Sequence, residues 1–111
     1  MNRIYMDHAA STPVHPLAAE EMLGVMTGTY GNASSVHAFG REAKRIVAAA
    51  RARVAGAVGA RPGELVFTSG GTESDNAALL GAANARIDRG RHLLVSRIEH
   101  HAVLHAAERL E

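Results

Sequence analysis

Paired glycines before a predicted helix are the first candidate for chemistry in this sequence. Leu65 to Thr68 is typical of an apolar strand, Gly70 and Gly71 follow it, and a helical pattern begins at Thr72. Glycine lets a backbone turn tightly and approach a ligand closely, while the first amide N–H groups of a helix lack partners within that helix. Together with the helix dipole and the Thr72 hydroxyl, these groups predict a phosphate site.

His100 is the second candidate. It follows a predicted strand from His92 to Ser96 and lies where the next helical pattern begins. If the two strands are parallel neighbours, Thr72 and His100 lie at the edge where open α/β sheets bind ligands. An imidazole there could cover an aromatic ring and move protons near neutral pH. A phosphate at one end and a ring at the other indicate a small aromatic cofactor.

Both candidates also have structural interpretations. Strand, glycine and helix follow one another in many turns that bind nothing, and the Gly70-Gly71 turn lacks the spacing of the Walker and dinucleotide-binding motifs. His100 could simply cap its helix or bond to a backbone carbonyl. On the residues alone, both interpretations stay open.

Other chemically capable residues predict less. Lys44 is the only lysine, but the surrounding arginine-rich helical pattern places it on the surface. His101 and His105 are four apart, which suits two metal ligands, yet no third ligand is evident, so we expect a solvated face and no metal. With no cysteine, these 111 residues contain neither a disulfide nor a thiol nucleophile.

The composition disfavours two classes of partner. A formal net charge of +1 and an aromatic content of 4% give no electrostatic or stacking case for nucleic acid. No apolar run reaches signal-peptide or membrane-helix length. We therefore expect a cytoplasmic protein with no membrane contact.

The spacing of apolar residues predicts an α/β fold. An arm precedes a helix from Pro16 to about Met26, and a long helix follows from about Val36 to Val58, with Ser34 or Ser35 as its cap and Gly59 as its stop. Helices from Thr72 to about Ile87 and from about Glu99 onward, with the two strands, complete a βαβ unit. The last helical pattern is still running at Glu111. Two parallel strands make a poor finished domain, so we expect an incomplete piece, with residues 1–35 as arm and first helix and 36–111 as the remainder.

Four segments together resemble the N-terminal part of the cysteine desulfurases. They are Tyr5 to Pro13 (YMDHAASTP), Gly31 to His37 (GNASSVH), Thr68 to Asn76 (TSGGTESDN) and Glu99 to Leu104 (EHHAVL). These enzymes belong to the class V aminotransferase group and bind pyridoxal 5'-phosphate on the large domain of fold-type I. The resemblance spans essentially the whole chain, with the segments in order.

The resemblance implies a function and a site. Cysteine desulfurases remove sulfur from L-cysteine, giving L-alanine and an enzyme persulfide that supplies iron-sulfur clusters or thio-cofactors. Gly71 and Thr72 fall on the phosphate-binding turn, and His100 falls on the histidine that stacks over the pyridine ring and assists proton transfer. A homodimer and sulfur-acceptor proteins are expected as partners.

The family's Schiff-base lysine and persulfide-forming cysteine have no counterpart in these residues, and Lys44 does not align with that lysine. We therefore expect an N-terminal fragment, inactive alone, that does not hold the cofactor covalently. The alternatives are a selenocysteine lyase, another class V enzyme, or a noncatalytic protein that either binds phosphate or complements a separate half.

Overall fold

The structure is a computed structural model that describes residues 3–111. It divides into two compact units, one extending to Leu65 and the other spanning Val66–Glu111. The helices of the described part are α1 (Pro16–Gly28), α2 (Ala38–Ala57), α3 (Gly71–Ala85) and α4 (His101–Glu108), with short 3-10 helices at Pro62–Glu64 and Ile87–Arg89. None of these helices combines the length and apolar character needed to cross a bilayer.

Helix α1 begins where the sequence predicts. Pro16 occupies its first turn, where the missing N–H costs nothing, and His15 caps it by accepting a hydrogen bond from the Leu17 amide at Nδ1, 3.3 Å away. Its apolar side chains are not buried against the rest of the described chain. The exposed ones include Leu17, Met22, Leu23 and Met26.

Helix α2 starts from a different cap than predicted. His37, not Ser34 or Ser35, is the N-cap, and its Nδ1 accepts a hydrogen bond from the Gly40 amide at 3.3 Å. Gly40 is buried because the backbone passes close by: a Cβ at this position would press on the Ser35 carbonyl. The backbone before α2 is therefore packed against the backbone of its first turn. Because of this contact, Ser34 and Ser35 precede the N-cap position, which His37 occupies.

The C-terminal end of α2 confirms the predicted stop. Gly59 has a φ of +69°, the left-handed region that favours glycine. Its amide donates to the Gly56 carbonyl at 3.3 Å, and the Ala60 amide donates to Ala55 at 2.9 Å. This is the Schellman arrangement, which satisfies carbonyls that the end of a helix leaves free. Ala55 is fully buried at this end of α2.

Helices α3 and α4 pack on each other in the second unit. The buried residues of α4 are Ala102 and Ala106, which are 7% and 1% exposed. Alanine projects only a methyl group, so the buried part of α4 is formed by small side chains. Helix α4 ends at Glu108, so the prediction of a helix continuing to Glu111 is wrong. There the Leu110 amide bonds to the Ala107 carbonyl at 2.9 Å, which tightens the last turn.

The predicted βαβ unit is not formed within residues 3–111. The segments Leu65 to Thr68 and His92 to Ser96 flank α3 as expected, but neither belongs to a strand. Val66 and Leu94 are 76% and 84% exposed. Parallel strands depend on neighbouring strands and on cover over both faces, and this stretch of chain supplies neither.

Candidate functional site

The turn that leads into α3 is held by hydroxyl groups around one carbonyl. The Gly70 carbonyl oxygen accepts a hydrogen bond from the Ser74 amide at 3.1 Å. The hydroxyls of Thr68 and Ser74 each lie 3.2 Å from the same oxygen and 2.6 Å from each other. The oxygen is thus directed into the turn, and the helix start keeps a fixed backbone.

Glu73 fastens the other side of the turn. One of its carboxylate oxygens accepts hydrogen bonds from the Ser69 hydroxyl at 2.6 Å and from the Ser69 amide at 2.7 Å. The hydroxyl, and next the amide, lower the pKa of Glu73 below its ordinary value, because both stabilise the carboxylate. The carboxylate therefore belongs to the turn's own hydrogen bonding.

The first turn of α3 presents donors with no acceptor among residues 3–111. These donors include the amides of Gly71 and Thr72 and the Thr72 hydroxyl, and both residues are exposed. A Cβ at Gly70 or Gly71 would meet no atom within 4 Å. Gly70 has a φ of 164°, extended backbone that any residue adopts, so the turn itself does not require glycine there. The space that a side chain would occupy at either glycine is therefore open.

His100 caps α4, which confirms the structural interpretation of this residue. Its Nδ1 accepts a hydrogen bond from the Ala102 amide at 3.1 Å. Because Nδ1 must offer its lone pair to that amide, the neutral ring carries its proton on Nε2. His100 is exposed, so the Nε2 side of the ring is free to meet a ligand.

Asn76 brings these two helix starts together. Its side-chain nitrogen lies 2.9 Å from the Thr72 carbonyl oxygen and 3.3 Å from that of Ala102. The turn that carries Thr72 therefore lies beside the turn that His100 caps. Sequence reasoning missed Asn76. The available signal was a polar residue of low helix propensity four positions after Thr72 in the middle of a helix.

The remaining candidates lie where the sequence places them. Lys44 is exposed on α2, as predicted. His101 and His105 are exposed on α4 with ring centroids 5.3 Å apart, which confirms that they share a solvated face. Within the described residues, no group of three or more potential metal ligands comes together.

The chain belongs to the aminotransferase class-V family. The family model matches residues 4–111, nearly the whole sequence. The fold agrees, since the described chain is similar to a solved "NIFS-like protein" with a TM-score of 0.90 and 38% identity, over 98% of this chain and 30% of that one.

Relatives within the family confirm the resemblance to cysteine desulfurases. The chain is 52% identical over 111 residues to the "Putative cysteine desulfurase IscS 1" of Bacillus subtilis (strain 168), covering 100% of this chain and 29% of that protein. It is 49% identical over 108 residues to the "Cysteine desulfurase IscS" of Methanosarcina thermophila, covering 97% and 27%. The chain thus spans less than a third of the length of these relatives.

Proposed function

We propose that this chain is the N-terminal part of a pyridoxal-phosphate-dependent cysteine desulfurase. The whole enzyme would remove sulfur from L-cysteine, leaving L-alanine and a persulfide on an enzyme cysteine, for iron-sulfur cluster or thio-cofactor supply. About half of this chain's residues are identical, over nearly its full length, to proteins named cysteine desulfurase. That similarity carries the proposal.

The donor set at the start of α3 fits the phosphate of the cofactor. Free amides and a hydroxyl lie exposed at the positive end of a helix, which is the chemistry that binds phosphate. Gly71 and Thr72 would hold that group. Pyridoxal phosphate, when bound, supplies an electron sink for the substrate carbon.

His100 would act beside the ring of the cofactor. Its Nδ1 is engaged with the Ala102 amide, so the group that it offers to a ligand is the Nε2–H. The Nε2–H can donate a hydrogen bond to a ligand, while the cap fixes the orientation of the imidazole. The proximity of the two helix starts through Asn76 supports this assignment.

The rest of the enzyme would supply what these residues lack. The Schiff-base lysine and the persulfide-forming cysteine would come from other parts of the full-length chain, and the segments on either side of α3 would form neighbouring parallel strands in the completed sheet. Together the 111 residues would form one incomplete segment of a single domain. We further propose a cytoplasmic homodimer that passes its sulfur to acceptor proteins.

Turnover by the full-length protein tests the proposal. We expect stoichiometric L-alanine and, with a thiol reductant, sulfide from L-cysteine, and no turnover from the 111 residues alone. Selenide released from L-selenocysteine, with no sulfide from L-cysteine, would instead identify a selenocysteine lyase. Alanine and sulfide formed by the 111 residues alone at enzymic rates would contradict the assignment of the lysine and cysteine to other parts of the chain.

A further inference from the structure

We infer that Asn76 is a positioning residue, which fixes His100 relative to the phosphate-binding turn by tying α4 to α3. The inference rests on the proposed function, because it concerns the geometry of the proposed cofactor site. The observation behind it is one side-chain nitrogen shared between the Thr72 and Ala102 carbonyls.

The hydrogen bonds leave one orientation for the Asn76 amide. Both neighbours are carbonyl oxygens, which only accept, so the NH2 group must face them and the amide oxygen must point away. An NH2 group has two hydrogens, one for each carbonyl. Asn76 is half-buried, which shields these bonds partly from water.

Asn76 supplies direction to an otherwise non-directional contact. In the described part of the chain, the Asn76 to Ala102 bond is the hydrogen bond that joins α3 to α4. The buried residues of α4 are Ala102 and Ala106, whose methyl groups make no directional contact. The Asn76 bond therefore adds a directional contact at the first turn of α4, beside the cap that His100 makes.

A shift of α4 would move the group that the proposed site needs. His100 is joined to α4 by its Nδ1 bond to Ala102, the residue whose carbonyl Asn76 holds. The Thr72 carbonyl lies in the turn that presents the phosphate donors. The contact chain from Thr72 through Asn76 and Ala102 to His100 thus connects the two proposed ends of the cofactor. Misplacement by about 1 Å is enough to impair a preorganised site.

The test uses the full-length protein freed of cofactor, with Asn76→Ala, Asn76→Asp and the control Asn84→Asp. Alanine removes the donor and has a higher helix propensity than asparagine, so the substitution does not weaken α3 itself. Aspartate keeps the shape but turns a carboxylate oxygen toward two carbonyls. Asn84 lies exposed on the same helix and makes no side-chain hydrogen bond within residues 3–111.

Two measurements are made on each variant. Hydrogen exchange of the amides from Ala102 to Leu104 reports the order of the first turn of α4. Titration with pyridoxal phosphate, followed by visible absorbance, gives its dissociation constant. For Asn76→Ala we expect the exchange rate of these amides and the dissociation constant of pyridoxal phosphate each to rise by about 3- to 10-fold, which is the effect of losing one neutral hydrogen bond. For Asn76→Asp we expect larger increases. Asn84→Asp should stay within about twofold of the parent.

A double variant separates positioning from general stability. In a His100→Asn background the helix cap is kept but the imidazole is gone. If Asn76 acts through His100, removing Asn76 weakens cofactor binding less in this background. Equal weakening in both backgrounds would mean that Asn76 acts on stability alone and would overturn the inference.

The remaining outcomes distinguish this inference from the proposed function. A parent protein that binds pyridoxal phosphate, with Asn76→Ala binding equally well, would overturn the inference and leave the function intact. A parent protein that binds no pyridoxal phosphate would refute the function. In that case the positioning role would be refuted as well, because there would be no cofactor site. Faster amide exchange in Asn76→Ala would then show only that Asn76 links α3 to α4.

Discussion

Replacing Gly71 tests the phosphate site at the level of a single atom. Gly71 is the first residue of α3, a position where proline is favoured because its backbone N–H has no partner within the helix. Gly71→Pro therefore removes the amide proposed to bind phosphate and retains the helix. Gly71→Ala is the matched control, since it keeps the amide and its Cβ meets no atom within 4 Å.

The size of the effect follows from the type of bond. A hydrogen bond to a charged group contributes about 1.5–3 kcal/mol, and each 1.4 kcal/mol is a factor of ten in affinity. Gly71→Pro should thus raise the dissociation constant of pyridoxal phosphate by about 10- to 100-fold. Gly71→Ala should leave it within about twofold, because the donor remains. Both variants keep the bond from the Ser74 amide to the Gly70 carbonyl, so neither should disturb the turn.

The assay is a pyridoxal phosphate titration of the cofactor-free, full-length variants, with thermal unfolding measured alongside. Equal affinity in the proline and alanine variants, at equal unfolding temperature, would show that the Gly71 amide does not bind the phosphate. A fall in affinity in both variants would point to crowding by the new side chain instead of loss of the N–H.

Three further predictions concern other described contacts. Gly40→Ala should lower the free energy of unfolding by about 1–3 kcal/mol in urea, because its Cβ presses on backbone atoms, whereas the Cβ of Gly56→Ala on the same helix meets no atom within 4 Å and should raise it by about 0.5–1 kcal/mol. A Gly40→Ala variant more stable than Gly56→Ala would refute this packing. His100→Ala should lose about 1 kcal/mol of stability and His100→Asn much less, while turnover falls roughly 100-fold or more in both; full turnover in the asparagine variant would exclude a role for the imidazole. Ser69 lowers the pKa of Glu73, so their interaction stabilises the protein at pH values above the ordinary glutamate pKa of 4.5, and this stabilisation is lost as the pH falls through the lowered pKa. The stability of Glu73→Gln should therefore depend less on pH in acid than that of the parent, and identical pH profiles of stability would contradict the contact.

Local signals predicted the helices well. Pro16 marked the start of α1 because its fixed φ suits the first turn of a helix, and Gly59 marked the end of α2 because its left-handed φ favours glycine. The two predicted strands do not form within residues 3–111. A strand needs neighbouring strands to pair with its backbone groups, so the pattern of apolar residues in one segment does not decide whether a strand forms.

The same distinction applies to the candidate site. The paired glycines and the helix start before Thr72 are local, and the free donors lie where the pattern placed them. The cap of α2 was mispredicted because histidine ranks low among capping residues, although its Nδ1 can accept a hydrogen bond as a serine hydroxyl does. The link made by Asn76 spans 26 positions in sequence and becomes visible only once α3 and α4 pack together.

The imidazole cap ties the start of α4 to one tautomer of His100. The Ala102 amide uses the single lone pair of the neutral ring at Nδ1, so the tautomer that carries its hydrogen on Nδ1 would leave this amide without an acceptor. A ligand group that accepts a hydrogen bond from Nε2–H can therefore bind while the helix stays capped. A ligand group that must donate to Nε2 would uncap α4, so the cap selects for acceptors at this position.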